Sequence, residues 1–270
     1  MGISNERFDR SAARGRVTLV GAGPGDPELL TLKALRALQT CDVILFDDLV
    51  SAEILDLARR QAKRMLVGKR GGRTSCRQED INATMVRLAM AGKHVVRLKA
   101  GDVSVFGRAG EEIAELDRHG IPVAIVPGIT AASALAASFG LSLTHRDHAQ
   151  ELRLVTGHSR NGALPDDLAW SALASPRATT IFYMGGRTAA QIAERLLAEG
   201  APATLPVAVA ANLSRPDETR DIGTLASLPA IVARIGVDRP ILIGVGTVFA
   251  LARRQTVPAA PDLALLAQTA

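Results

Sequence analysis

Between Val95 and Glu112 the chain reads VVRLKAGDVSVFGRAGEE, a stretch whose side chains suit a charged organic ligand. Asp102 is an acceptor-only carboxylate. Ala100 and Gly101 leave the backbone little encumbered, so a ligand can approach its N–H and C=O groups. Phe106 offers an aromatic face and Arg108 a fork-shaped cation. Taken alone, the same residues also describe an ordinary polar loop between a strand and a helix.

Other stretches carry weaker chemical signals. Gly21-Ala22-Gly23-Pro24-Gly25-Asp26 has the outline of a dinucleotide-binding turn. It places Asp26 where that turn needs its third glycine, and Asp26 would repel a pyrophosphate at a helix N-terminus. No Gly-Lys-Ser/Thr follows, so a P-loop is excluded. His145-Arg146-Asp147 has the letters of a kinase catalytic tripeptide, but no Asp-Phe-Gly follows. His145 and His148 lack a third metal ligand at suitable spacing and read as surface histidines, so no metal is expected.

These residues need elements to hold them. Val17–Val20, Val43–Phe46, Arg64–Val67, His94–Leu98 and Val123–Val126 are short apolar runs that read as strands. Between them lie helical patterns: Leu32, Leu35 and Leu38 in a helix from about Glu28, then a short helix near Glu53–Arg60. A third helix reaches about Ala91, opened by Ser75 and Gln78 in the form of a capping box. Ile113 and Leu116 share a face after the central loop, and an alanine-rich helix runs from Thr130 to Phe139 after the break at Pro127-Gly128. Such alternation predicts a mainly parallel sheet. Ligands bind beyond the carboxyl ends of its strands, where the loop Lys99–Gly107 falls.

After a polar, turn-like Gly140–Gln150 the alternation resumes. Strands are expected at Arg153–Thr156, Thr179–Met184, Val207–Ala211 and Ile241–Val245, with a short one at Arg220–Gly223. Helices fall near Ala189–Glu199, stopped by Gly200, and Leu225–Arg234. The fold class is α/β: two α/β domains, residues 16–127 and 128–257, with a mainly parallel N-terminal sheet and an active-site cleft between the domains. Residues 1–15 and 258–270 are expected to be flexible tails.

Composition bounds the partners. With 47% hydrophobic and 22% charged residues over 270 positions, the chain suits a soluble globular protein. Aromatics are only 3%, which disfavours a base-stacking nucleic-acid surface. A net charge of +5 favours anionic partners. Cys41 and Cys76 form no Cys-x-x-Cys and suit a reducing, cytoplasmic compartment. The polar start is no signal peptide, and no apolar run approaches membrane-spanning length. Neither a nucleic acid nor a membrane is expected as a partner.

Several stretches, in order, resemble one family. Val20-Gly21-Ala22-Gly23-Pro24-Gly25-Asp26-Pro27 with Leu30-Thr31-Leu32-Lys33 is similar to the opening of the uroporphyrinogen-III C-methyltransferases, within the tetrapyrrole methylase family. So are Asp47-Asp48-Leu49-Val50-Ser51, Val67-Gly68-Lys69-Arg70, Val96-Arg97-Leu98-Lys99, Gly101-Asp102, Val105-Phe106-Gly107-Arg108 and Val126-Pro127-Gly128-Ile129-Thr130. Leu143-Thr144-His145-Arg146-Asp147, Val155-Thr156-Gly157-His158 and Phe182-Tyr183-Met184-Gly185 extend the resemblance, which covers about Arg16 to Leu251.

The resemblance implies S-adenosylmethionine (SAM) as co-substrate in the interdomain cleft, and a homodimer. It implies methylation of uroporphyrinogen III at two ring carbons, through precorrin-1 to precorrin-2, for sirohaem- or cobalamin-type synthesis. Asp47 maps to the proton acceptor and Lys69 to the donor; Arg108 with Glu111 is a competing assignment. Pro24, Ala100, Gly101, Asp102, Val105, Thr130, Ala131, Met184 and Leu213 map to SAM contacts, and Phe106 lies in the same loop. The implied substrate is a polycarboxylate, so Arg70, Lys99 and Arg146, with Lys69 and Arg108, are natural partners.

The chain departs from the family pattern at Ala100, Val103, Ser104 and Ala109, and at Ala211-Asn212-Leu213-Ser214. If position 100 needs a positive φ, alanine costs about 1 kcal/mol there. These changes keep open a SAM- or tetrapyrrole-binding homologue with reduced or no activity. A nicotinamide oxidoreductase is the remaining alternative, and Asp26 speaks against it. No dehydrogenase or chelatase step is expected, because the additional domain of the bifunctional synthases has no counterpart here.

Overall fold

The computed structural model describes residues 14–68, 76–159 and 161–253. Strands β1 (Arg16–Gly21), β2 (Val43–Phe46), β3 (Lys63–Leu66), β4 (His94–Lys99) and β5 (Val123–Val126) form an all-parallel sheet. Its order is β3-β2-β4-β1-β5, so β4 is inserted between β1 and β2.

Helices cover both faces, as an all-parallel sheet requires. Helices α1 (Leu32–Thr40) and α2 (Ala52–Asp56) pack Leu38, Ile54 and Leu55 against Val20, Ile44, Val96 and Leu98. Helices α3 (Gln78–Met90) and α4 (Ala109–Arg118) pack Ile81, Met85 and Leu116 against Leu19, Leu45 and Val95. Each such large side chain, fully buried, contributes about 1.5–3 kcal/mol. The two-residue period of β4 sends Val96 and Leu98 to the first layer and Val95, Arg97 and Lys99 to the second.

The second sheet contains β6 (Glu151–Thr156), β7 (Ala178–Tyr183), β8 (Pro206–Ala211), β9 (Thr219–Thr224) and β10 (Ile241–Val245), in the order β6-β7-β10-β8-β9. Only β6 and β7 pair in parallel; β10 runs antiparallel to both of its neighbours, and β8 to β9. One face carries α6 (Trp170–Leu173), α7 (Ala189–Ala198) and α8 (Leu228–Ile235). The other carries α5 (Ala131–Ser138), whose Leu135 joins Ile181, Leu242 and Phe249.

Local differences from the sequence reading have local causes. The helix expected from Glu28 opens as a 3-10 turn, Pro27–Leu29, capped by Asp26 Oδ1, which accepts the Glu28 N–H at 2.8 Å. Helix α1 starts afresh after Thr31, whose Oγ1 accepts the Ala34 N–H at 3.1 Å. Gln78 does not complete a capping box: its side chain turns inward to Asn82 and Glu112, and Arg77 is the N-cap residue. Ser75 lies outside the described residues. Helix α6 had no clear periodic signal. The expected tail 1–15 ends earlier, since Gly15 donates to Ala89 O at 2.8 Å and Arg14 to His119 O at 3.2 Å. Residues 1–13 and 258–270 of the expected tails lie outside the described residues, as do residues 254–257.

Candidate active site

Three loops meet at the carboxyl end of the parallel sheet, and glycine lets them touch backbone to backbone. Gly23 and Gly101 form an antiparallel bridge with N–H to O distances of 3.1 and 2.7 Å, and Gly101 holds a left-handed φ of +68°. A Cβ on Gly21 would lie 2.5 Å from Gly128 N and 2.7 Å from Gly101 O. The glycine run after β1 is therefore a packing surface for the loops after β4 and β5. Asp102 fastens the same junction: Oδ2 accepts the Gly128 N–H at 2.9 Å, and Oδ1 accepts from Ser104 N–H at 2.8 Å and from Ser104 Oγ. Burial pushes the Asp102 carboxyl up, but the Ser104 and Gly128 hydrogen bonds together outweigh it and hold the group below its ordinary value.

Beside this junction opens a cavity of about 400 Å³, a size suited to a small organic ligand. The parallel sheet contributes Pro24, Leu49, Ala100, Gly101, Asp102, Val105 and Phe106. Thr130 and Ala131 enter from the start of α5, and Tyr183 and Met184 from the end of β7. Asn212, Leu213 and Arg215 follow β8. Because β10 runs against its neighbours, its first residues, Ile241 and Leu242, reach the same end, preceded by Asp238 and Pro240. Arg215 spans the two units by donating to the Leu49 carbonyl, and Ser214 Oγ accepts the Asp26 N–H at 3.1 Å.

Three wall residues, Phe106, Met184 and Asn212, have φ between 52 and 58°. Left-handed backbone in non-glycine residues is costly and gathers at ligand sites. Ala100 is not among the positive-φ residues, so the alanine there carries no such penalty. Tyr183, the chain's single tyrosine, organises one wall. Its hydroxyl lies 2.6 Å from Thr130 Oγ1 and accepts the Ala132 N–H at 3.1 Å, while its ring meets Phe106 at 4.9 Å. Burial raises the Tyr183 pKa, so the hydroxyl keeps its proton.

Under the α3 and α4 side of the same sheet edge lies a buried charge cluster. Glu112 is 0% exposed, and its Oε1 accepts from Lys99 Nζ at 2.8 Å, Arg97 Nε at 3.0 Å and Gln78 Nε2 at 3.2 Å. Arg97 Nη2 donates to Asp47 Oδ1 at 2.7 Å. Burial pushes the Lys99 ammonium below its ordinary 10.5, and Arg97 pushes the same way, against the pull of Glu112.

A model of the tetrapyrrole (corrin/porphyrin) methylases matches residues 16–229. This chain belongs to the tetrapyrrole methylase family. Among solved structures it is similar to a uroporphyrin-III C-methyltransferase from Thermus thermophilus complexed with S-adenosylhomocysteine. That likeness has 41% identity and a TM-score of 0.75, over 88% of this chain and 100% of that one. A cobalt precorrin-4 methyltransferase of cobalamin biosynthesis is similar at 28% identity and a TM-score of 0.78, over 87% of this chain and 95% of that one. The siroheme synthase of Azotobacter vinelandii is 51% identical over 239 residues, 88% of this chain and 51% of that protein. The chain spans about half the length of the curated relatives it matches.

In this chain the ten residues expected at the cofactor come together around one cavity: Pro24, Ala100, Gly101, Asp102, Val105, Phe106, Thr130, Ala131, Met184 and Leu213. Asp47 stands at the carboxyl end of β2, two residues before Leu49, with its side chain 29% exposed. Lys69 and Arg70 lie outside the described residues, directly after Gly68, which packs on the Asp47–Asp48 backbone. Arg108 and Glu111 pair bidentately at 2.7 and 2.6 Å, half-exposed at the start of α4, and neither lines the cavity.

The structure corrects the substrate reading of Lys99. That side chain is buried and spends its charge on Glu112, because the strand period turns it into the sheet's helical layer. Arg146 is exposed in the turn closed by His145 and Ala149 and does not line the cavity. His145 and His148 contact edge to face at 4.8 Å, and among the described residues no group of three or more His, Cys, Asp or Glu is arranged to hold a metal ion. No described helix is long and apolar enough to cross a membrane.

Sequence reasoning missed Tyr183, Asn212, Arg215 and Asp238 at the cavity and Glu112 in the buried cluster. A lone tyrosine at a strand end was the available signal for the first. The others depend on contacts between segments far apart in sequence.

Proposed function

We propose that this tetrapyrrole methylase transfers methyl groups from SAM to two ring carbons of uroporphyrinogen III, giving precorrin-2 through precorrin-1. The observation that carries the reading is the composition of the cavity. Its walls supply apolar surface at Val105, Phe106, Met184 and Leu213 for an adenosyl and a methionyl stem, and carboxylates at Asp102 and Asp238 for cationic groups. The N-terminal end of α5 supplies backbone polarity for a carboxylate. When bound, SAM supplies an electrophilic methyl group at its sulfonium.

The protein's share is positioning. Phe106 and Tyr183 fix one wall by mutual contact, and the Gly21, Gly101 and Gly128 junction fixes the floor. In-line placement of donor and acceptor carbons supplies much of the acceleration such a transfer needs. Asp47, at the sheet edge, accepts the ring proton that leaves after methylation, and Lys69 is its donor counterpart. Arg108, with Arg70 and Arg146, receives the substrate's carboxylates, and Glu111 orients the Arg108 fork. The chain divides into two units near Pro127-Gly128, works as a homodimer and is cytoplasmic.

Anaerobic turnover with uroporphyrinogen III and SAM, read by absorbance and mass of the product, tests the reaction. Addition of two methyl groups is expected. Calorimetry with S-adenosylhomocysteine and NAD tests the ligand: binding of NAD without binding of S-adenosylhomocysteine would overturn the reading.

A further inference from the structure

We propose that Arg97, held by Glu112, is a positioning residue that fixes the Asp47 carboxylate at the edge of the cleft. This rests on the reading of Asp47 as proton acceptor.

Hydrogen bonds hold the guanidinium of Arg97 at each of its three nitrogens. Nε donates to Glu112 Oε1 at 3.0 Å, Nη1 to the carbonyls of Leu98 at 3.2 Å and Leu45 at 3.4 Å, and Nη2 to Asp47 Oδ1 at 2.7 Å. Every nitrogen of the planar fork is engaged, and a fork held at Nε and Nη1 sets the direction of the Nη2 bond. The anchor is equally fixed. Glu112 comes from α4, and Gln78 from α3 donates to the same Glu112 oxygen. The chain of contacts therefore runs from two helices, through the central strand β4, to the end of β2.

Exposure distinguishes the members. The side chains of Arg97, Lys99 and Glu112 are 3%, 5% and 0% exposed, against 29% for Asp47. Asp47 is where the cluster meets solvent, at the sheet end that carries the cavity. Buried ion clusters are weak contributors to stability, and apolar residues of like volume often do as well. An apolar layer has no cation to present to Asp47. Arg97 takes Oδ1, and among the described residues no hydrogen bond reaches Oδ2, which leaves that oxygen able to accept a proton. A base acting on a ring carbon needs that oxygen held in one place.

The test compares Asp47→Asn, Arg97→Lys, Glu112→Gln and the double variant Asp47→Asn/Arg97→Lys in anaerobic single-turnover methyl transfer. Binding of S-adenosylhomocysteine is measured alongside by calorimetry. Lysine keeps the charge beside Glu112 and loses the fork. Arg97→Lys and Glu112→Gln are expected to lower the transfer rate about tenfold or more, with cofactor affinity and substrate KM within about twofold of wild type. In the Asp47→Asn background, Arg97→Lys should change the rate by less than about twofold, since its effect passes through the missing carboxylate. Normal turnover by Asp47→Asn overturns the acceptor reading itself. An impaired Asp47→Asn beside a normal Arg97→Lys, or losses that multiply in the double variant, overturns the positioning role of Arg97. Should Arg97→Lys fail to fold, Glu112→Gln, which keeps volume and an accepting oxygen, decides by the same split.

Discussion

Asp102 Oδ2 accepts the Gly128 N–H at 2.9 Å, which ties the loop after β4 to the loop after β5 at the floor of the cavity. The other oxygen folds back on Ser104. Both oxygens of the carboxylate that most invites assignment to a ligand are thus also engaged in shaping the site. Asp102→Ala should lose about 1–3 kcal/mol of stability, read by urea unfolding, together with affinity for S-adenosylhomocysteine. Asp102→Asn keeps the shape and one accepting oxygen and should lose less. The folded state holds this carboxyl below its ordinary 3.8, so its contribution is present above that value and is lost as pH falls through the folded value. The stability gap between wild type and Asp102→Asn should therefore close on acidification below about pH 4. A gap independent of pH would contradict this.

Glu112 is the buried counter-charge for both Arg97 and Lys99. Glu112→Leu leaves two buried cations short of an anion, and unfolding free energy should drop by about 3–5 kcal/mol. Replacing Arg97, Lys99 and Glu112 together by apolar residues of similar volume should recover much of that loss without restoring methyl transfer. Urea titrations and turnover on the same preparations separate the two effects.

Tyr183→Phe removes one hydroxyl and leaves the contact with Phe106. The hydroxyl joins Thr130 Oγ1 to the Ala132 N–H at the start of α5. Its loss should weaken S-adenosylhomocysteine binding about three- to tenfold, the worth of a neutral hydrogen bond at a ligand wall. Calorimetry showing unchanged affinity would place this wall away from the cofactor.

Arg108 is paired with Glu111 and half-exposed, so its removal should move stability by less than about 1 kcal/mol. Arg108→Leu should keep cofactor affinity and lose most methyl transfer, because the Glu111 partner cannot replace a carboxylate-binding fork. Equal losses of cofactor affinity and turnover would refute the assignment.

Raising salt should weaken binding of the polycarboxylate substrate more than binding of S-adenosylhomocysteine, because screening acts on exposed cations such as Arg108 and Arg146. Titrations of both ligands across a salt series check this, and parallel slopes would argue against a cationic substrate face.

The sequence alone determined the two α/β units, their strand positions and the loops that carry the cavity. Those features are local: apolar runs, glycine breaks and helical spacing act over a few residues, and the Lys99–Gly107 loop had to follow a strand end. Tertiary structure decided which way the charges face. Sequence spacing shows Arg97 and Lys99 two apart on one face of a strand, but not that the face covers Glu112 of α4 and reaches Asp47, 50 residues before Arg97. That depends on strand order, and β4 lies between β1 and β2 although α2, β3 and α3 separate it from β2 along the chain. The glycine run after β1 was likewise legible as a turn. Its purpose was not, because the backbones it admits belong to Gly101 and Gly128, and only the folded sheet brings those loops to within a missing Cβ of Gly21.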